Sequence, residues 1–89
     1  MDEVNAVFEF HIGERNTQKF LIDLKEGRVE VDDTYEPDAT IKLNDWKEFD
    51  LFFKTGKGSD DRNPCEGNND AVKRLLATKL PEFKPQPIC

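Results

Sequence analysis

Between residues 39 and 53 the hydrophobic period of this chain changes, and that change limits its possible folds more than any other feature. Ala39–Leu43 ("ATIKL") alternates apolar and polar residues, the pattern of a half-buried strand. Asn44 and Asp45 intervene. Trp46, Phe49 and Phe53 then recur at i, i+3 and i+7, the stripe of an amphipathic helix, with Phe52 beside them. Asp45 suits an N-cap, Glu48 three residues on completes a capping-box-like pair, and Gly56 suits the residue that ends the helix. Pro37 disfavours helix at Glu36, so "DDTYEP" is a connection into the strand. A strand joined this directly to an oily helix folds the helix back over Ala39, Ile41 and Leu43.

Upstream, residues 7–12 ("VFEFHI") put Phe8, Phe10 and Ile12 on one face and Glu9 and His11 on the other. Residues 19–24 repeat the pattern with Phe20, Ile22 and Leu24, and residues 28–31 turn Val29 and Val31 inward. "GERNT" and "KEG" are the turns, and Gly27 can take the positive φ such turns require. These segments predict a three-stranded antiparallel meander. Downstream, residues 57–69 lack apolar periodicity and read as a loop. Residues 70–80 form a second amphipathic helix with Val72, Leu75, Leu76 and Leu80 on one side, ended by Pro81. Strands first and helices after predict an α+β fold: an antiparallel-rich sheet of four to five strands, with amphipathic helices covering one face. One domain is expected over residues 1–80. Residues 81–89 are a proline-rich tail in which Phe83 can fold back.

The charge balance, 19 acidic against 13 basic residues and −6 net, speaks against a nucleic-acid partner, whose phosphates need Lys and Arg. No apolar run is long enough for a transmembrane segment. There is no recognisable targeting signal: the first ten residues lack an apolar signal core, and "PQPIC" is neither a prenylation box nor a peroxisomal address. An intracellular location, cytoplasmic or peroxisomal, is expected. Cys65 and Cys89 read as incidental thiols in a reducing compartment. His11, the single histidine, points to the polar side of its strand, so neither a zinc site nor a nucleophile–base pair is in view. Asp32-Asp33, Asp60-Asp61 and Asp23 near Glu26 read as solvated carboxylates, lacking the unequal burial that acid–base chemistry needs. "TGKGS" lacks the rest of a phosphate loop, and "DDRNPCEGNND" lacks the glycine of a calcium loop. No catalytic residue, metal or cofactor is expected, and no enzyme. The inner apolar residues form a hydrophobic core or, on the sharper reading, line a ligand cavity.

Five segments in order resemble the sterol carrier protein 2 (sterol-transfer) family. "FEFHI" is similar to its first strand and "KFLIDLKEGRVEV" to its second and third. "PDATIKLND" resembles its fourth, "WKEFDLFFKTGK" its helix ending in Thr-Gly-Lys, and "GNNDAVKRLLATKL" its closing turn and helix. The resemblance spans about residues 4–80. It implies a non-catalytic domain that binds sterols, fatty acids or fatty acyl-CoA in a hydrophobic tunnel between sheet and helices. Carried over, the lining is Phe8, Phe10, Phe20, Ile22, Ile41, Trp46, Phe49, Phe53, Val72, Leu76 and Leu80.

The chain departs from the family pattern twice. "MDEVNA" stands where an amphipathic helix usually precedes the first strand, and the polar "GSDDRNPCE" stands where an apolar strand is usual. The alternative reading is therefore a reduced sterol-carrier-like interaction or scaffold module, or an accessory domain of a larger protein, without a working lipid cavity. That reading predicts a homodimer or a protein partner that completes the cavity.

Overall fold

The computed structural model describes residues 5–81. The expectations placed on the proline-rich tail, Phe83 and Cys89 lie outside the described residues. The elements follow the order β1 (Asn5–Ile12), β2 (Asn16–Asp23), β3 (Val29–Val31), β4 (Ala39–Leu43), α1 (Trp46–Thr55), β5 (Cys65–Gly67) and α2 (Asn69–Ala77). The strands form one mixed sheet in the order β3-β2-β1-β4-β5, and all pairs but one are antiparallel. The fold is α+β, as the change of period predicts.

The meander forms because alternation and turns agree. In β1 and β2, Phe8 pairs with Phe20 and Ala6 with Ile22, so both apolar sets share one face. The first turn is tighter than expected, since Ile12 already pairs with Asn16. Gly27 closes the second turn at φ 76°, and its N–H donates to the Asp23 carbonyl at 2.8 Å. A Cβ placed there would come within 2.2 Å of the Lys79 carbonyl oxygen. Gly27→Ala is therefore expected to cost about 1–3 kcal/mol, from backbone strain and from this contact. An unchanged urea midpoint would refute that.

The meander leaves one edge of β1 open, and β4 fills it in parallel, with Phe8 beside Ala39, Phe10 beside Ile41 and Ile12 beside Leu43. The connection over residues 32–38 passes behind the sheet, where Lys19 Nζ donates to the Tyr35 carbonyl at 2.9 Å. Asp32 holds its start by accepting from the Thr34 N–H and hydroxyl and from the Tyr35 N–H. The Thr34 N–H is the main reason that the Asp32 carboxyl sits below the usual range. At the far end, Asp38 N–H donates to the Val7 carbonyl at 2.7 Å, while its carboxylate accepts from the Val7 N–H at 2.8 Å.

α1 begins where the cap chemistry places it. The Asp45 carboxylate accepts from Glu48 N–H at 2.9 Å, and Gly56 ends the helix at φ 80° with its N–H on the Phe52 carbonyl. The buried side of the helix, however, carries Glu48, Phe49 and Phe52, which leaves Trp46 and Phe53 at its margins. A glutamate at the centre of a buried stripe defeats any reading of periodicity by hydrophobicity alone. α2 is capped by Asn68, whose side chain accepts from Ala71 N–H. It stops at Ala77, before Pro81, because the Thr78 backbone turns extended while its hydroxyl donates to the Leu24 carbonyl at 2.8 Å.

Two expectations need correction. Residues 57–69 are not a plain loop. After a single 3-10 turn at Ser59–Asp61, Cys65–Gly67 pairs with β4 as the fifth strand, in the polar stretch that stands where the family has an apolar strand. Backbone pairing needs no apolar run, which is why the polar sequence hid it. Val31 stands opposite Phe20 on the inner face, yet it is 57% exposed. β3 is a short edge strand, and both helices pack chiefly over β4 and β5, so this corner of the face lies beyond their cover.

Candidate functional site

The inner face of the sheet and the two helices enclose one apolar layer. Of the sequence-predicted lining, Phe8, Phe10, Phe20, Ile22, Ile41, Phe49 and Val72 are buried within it. Phe53, Leu76 and Leu80 are half-buried against it, and Trp46, 37% exposed, meets Phe49 edge-on at 5.4 Å between ring centres. The structure thus brings all eleven to one layer but divides them into a buried floor and a half-exposed rim. Phe52 lies beside this set in the helical pattern and Leu75 is among the apolar residues of the second helix, though neither is in the sequence-predicted lining. Both are fully buried, and Ala6, Ile12, Leu24, Ala39, Leu43 and Ala71 belong to the same layer. Ala6 and Ala71 escaped notice because an alanine adds little to a hydrophobic pattern.

Aromatic contacts organise the floor. Phe10 lies 6.1 Å from Phe20, 6.0 Å from Phe49 and 6.1 Å from Phe53, and Phe49 lies 5.1 Å from Phe53. Ring centres at these separations are in contact, mostly edge to face, which is the favoured arrangement. A ligand enters this part of the layer only by parting rings. Two surface grooves lie elsewhere. One, of about 770 Å³, is lined by residues such as Val7, Leu21, Tyr35 and Arg74, and the other, of about 350 Å³, by His11, Lys42 and Arg62. None of the eleven residues lines either groove.

The polar groups near the layer hold backbone. Glu48 is the extreme case: at 2% exposure, its carboxylate accepts from Asn44 N–H and Ser59 N–H, each at 2.8 Å, and pairs with Arg62. Burial by itself raises its pKa. The Ser59 and Asn44 N–H groups, the Ser59 hydroxyl and the Arg62 charge outweigh burial and bring the carboxyl to about 2. Asp23 accepts from the N–H groups of Lys25 and Glu26, in that order of distance, and its carboxyl is lowered chiefly by the Glu26 bond. Burial pushes the Cys65 thiol up to about 11, so it stays protonated and poorly nucleophilic at neutral pH. His11 contacts Glu9 at 2.9 Å on the face away from the helices. Among the described residues, no group of three or more His, Cys, Asp and Glu is placed to hold a metal ion, and no helix is long and apolar enough to cross a membrane.

Fold and site together define a two-layer α+β domain with an apolar layer between sheet and helices, in which Asp23, Asp32, Asp45 and Glu48 hold turns and a helix start. The chain belongs to the SCP-2 sterol transfer family: that family's model matches residues 1–58, which include β1 to β4 and all of α1. No curated protein and no solved structure matches the chain.

Proposed function

We propose that this protein is a non-enzymatic lipid-binding and lipid-transfer domain. It takes the apolar body of a sterol, fatty acid or fatty acyl-CoA between sheet and helices. The observation that carries the reading is the aromatic layer under a half-exposed rim of Trp46, Phe53, Leu76 and Leu80, in a chain whose family is one of sterol transfer. Contact with such a layer is non-directional, so it favours oily ligands as a class. The head group stays at the rim, where water remains.

Trp46, the single tryptophan, reports on the test. Titrating the protein with a fluorescent fatty acid or sterol is expected to give saturable binding at micromolar ligand, with a blue shift of Trp46 emission as the rim is covered. No saturation with the fold intact would sink the reading. One observation favours the scaffold alternative, namely that the floor rings are already in contact while Val31 and Trp46 stand partly in water. Exposed apolar groups promote association, so that alternative predicts a dimer growing with concentration. A monomer in sedimentation that binds lipid excludes it.

A further inference from the structure

We propose that the open edge of β3 pairs with the same edge of a second copy of this chain, antiparallel about Glu30, to give a two-fold dimer with one continuous sheet. β3 ends the strand order, and Glu30 pairs with Leu21. The flanking bonds run from Asp23 N–H to the Arg28 carbonyl at 2.8 Å and from Asp32 N–H to the Lys19 carbonyl at 3.0 Å. Arg28, Glu30 and Asp32 thus turn their backbone groups to β2. By the alternation of an antiparallel ladder, the N–H and C=O of Val29 and Val31 point the other way. Among the described residues, no backbone group meets them there.

The two edges of the sheet differ. On β5 the outward N–H of Cys65 donates to the Asn63 side-chain oxygen at 3.1 Å, and Gly67 bends the backbone at φ 104°. That edge is closed by its own chain, as edge strands commonly are. β3 has no such cap among the described residues.

The sequence of this edge, "RVEVD", is self-complementary. Paired about Glu30, Val29 of one copy stands opposite Val31 of the other, and their outward groups form four N–H···O bonds across the two-fold axis. Val31, 57% exposed, gains an apolar neighbour. On the outer face Arg28 stands opposite Asp32 of the second copy and diagonal to its Glu30, so each cation meets two carboxylates. Arg28 and Glu30 are exposed, and Asp32 is fixed by its own turn. One pair is unfavourable: Glu30 faces Glu30 of the other copy. Three paired residues bury less than the roughly 1,200–2,000 Å² of a stable complex, so the dimer is weak and forms at high protein concentration. It engages the sheet's edge rather than the rim and does not rest on the lipid reading.

Sedimentation equilibrium of the lipid-free full chain tests the association, and nuclear magnetic resonance of mixed labelled and unlabelled chains tests the register. The mean mass is expected to rise toward that of two chains, with cross-relaxation between the Glu30 α-protons of different copies. A chain that stays monomeric at millimolar concentration overturns the proposal. So does protection of the Val29 and Val31 amides that is independent of concentration, because a segment of the same chain then holds the edge. Val31→Pro removes an N–H that the monomer does not use, and it should weaken the dimer about tenfold or more. Glu30→Thr removes the like-charge pair and should tighten the dimer by up to about fivefold. If the proline variant fails to fold, Glu30→Thr decides alone. A dimer that neither substitution changes lies on another surface and overturns the proposal.

Discussion

Phe49→Ala is expected to lower the free energy of unfolding by about 3–5 kcal/mol. Phe49 is 7% exposed and touches Phe10, Trp46 and Phe53, so its removal strips these ring contacts and opens a void beneath α1. Urea or thermal unfolding followed by far-ultraviolet circular dichroism measures the loss. The number bears on function as well. A ring in a packed layer costs the full amount, whereas a ring lining open space costs less and changes lipid affinity instead. A loss under about 1.5 kcal/mol with a marked change in lipid affinity would make Phe49 a tunnel wall. A large loss with unchanged affinity would contradict its role in binding. Both effects together describe a layer that is packed when empty and parts to admit a ligand.

The second large effect belongs to Glu48. Glu48→Ala removes the acceptor for two backbone N–H groups and the partner of Arg62 at once. Breaking a buried ion pair by deleting one member typically costs 3–5 kcal/mol. The lower end, about 3 kcal/mol, is expected here because the Arg62 side chain is 41% exposed and regains water. The damage should spread to β5. Arg62 also donates to the Lys42 carbonyl, and Lys42 N–H donates to the Pro64 carbonyl, so the segment leading to β5 hangs on this cluster. Faster amide exchange at Lys42 would show it.

The same carboxylate makes stability depend on pH with a definite sign. Its pKa falls from 4.5 to about 2 on folding, so the folded state favours the charged form. The stabilisation is complete above the unfolded value, near 4.5, and is lost as pH falls toward about 2. Wild type and Glu48→Gln should therefore differ most near neutrality and converge as the solution is acidified through that window. A difference independent of pH would show that the charge contributes nothing.

Local rules made much of this protein legible before any coordinates. Asp45 caps and Gly56 terminates α1 because both act within a few residues, through a carboxylate on an N–H and a backbone free to turn left-handed. Phe8, Phe10, Phe20, Ile22 and Ile41 were readable as one inner face because side chains along a strand alternate by geometry. The rim was less legible. Periodicity centred α1 on Trp46, Phe49 and Phe53, but the bonds of Glu48 to Asn44, Ser59 and Arg62 draw the other side of the helix inward. Those partners lie up to 14 residues away, beyond the reach of any periodic pattern.

The sequence by itself determined where β4 gives way to α1, which residues are oily enough to share an interior, and how α1 is capped at both ends, because each depends on near neighbours along the chain. Tertiary structure alone decided that β4 lies parallel to β1, that polar Cys65–Gly67 becomes a fifth strand, that Glu48 is buried and that Val31 is not. Each of these depends on which distant segment arrives alongside, and hydrogen bonding between backbones is indifferent to the side chains that a sequence displays.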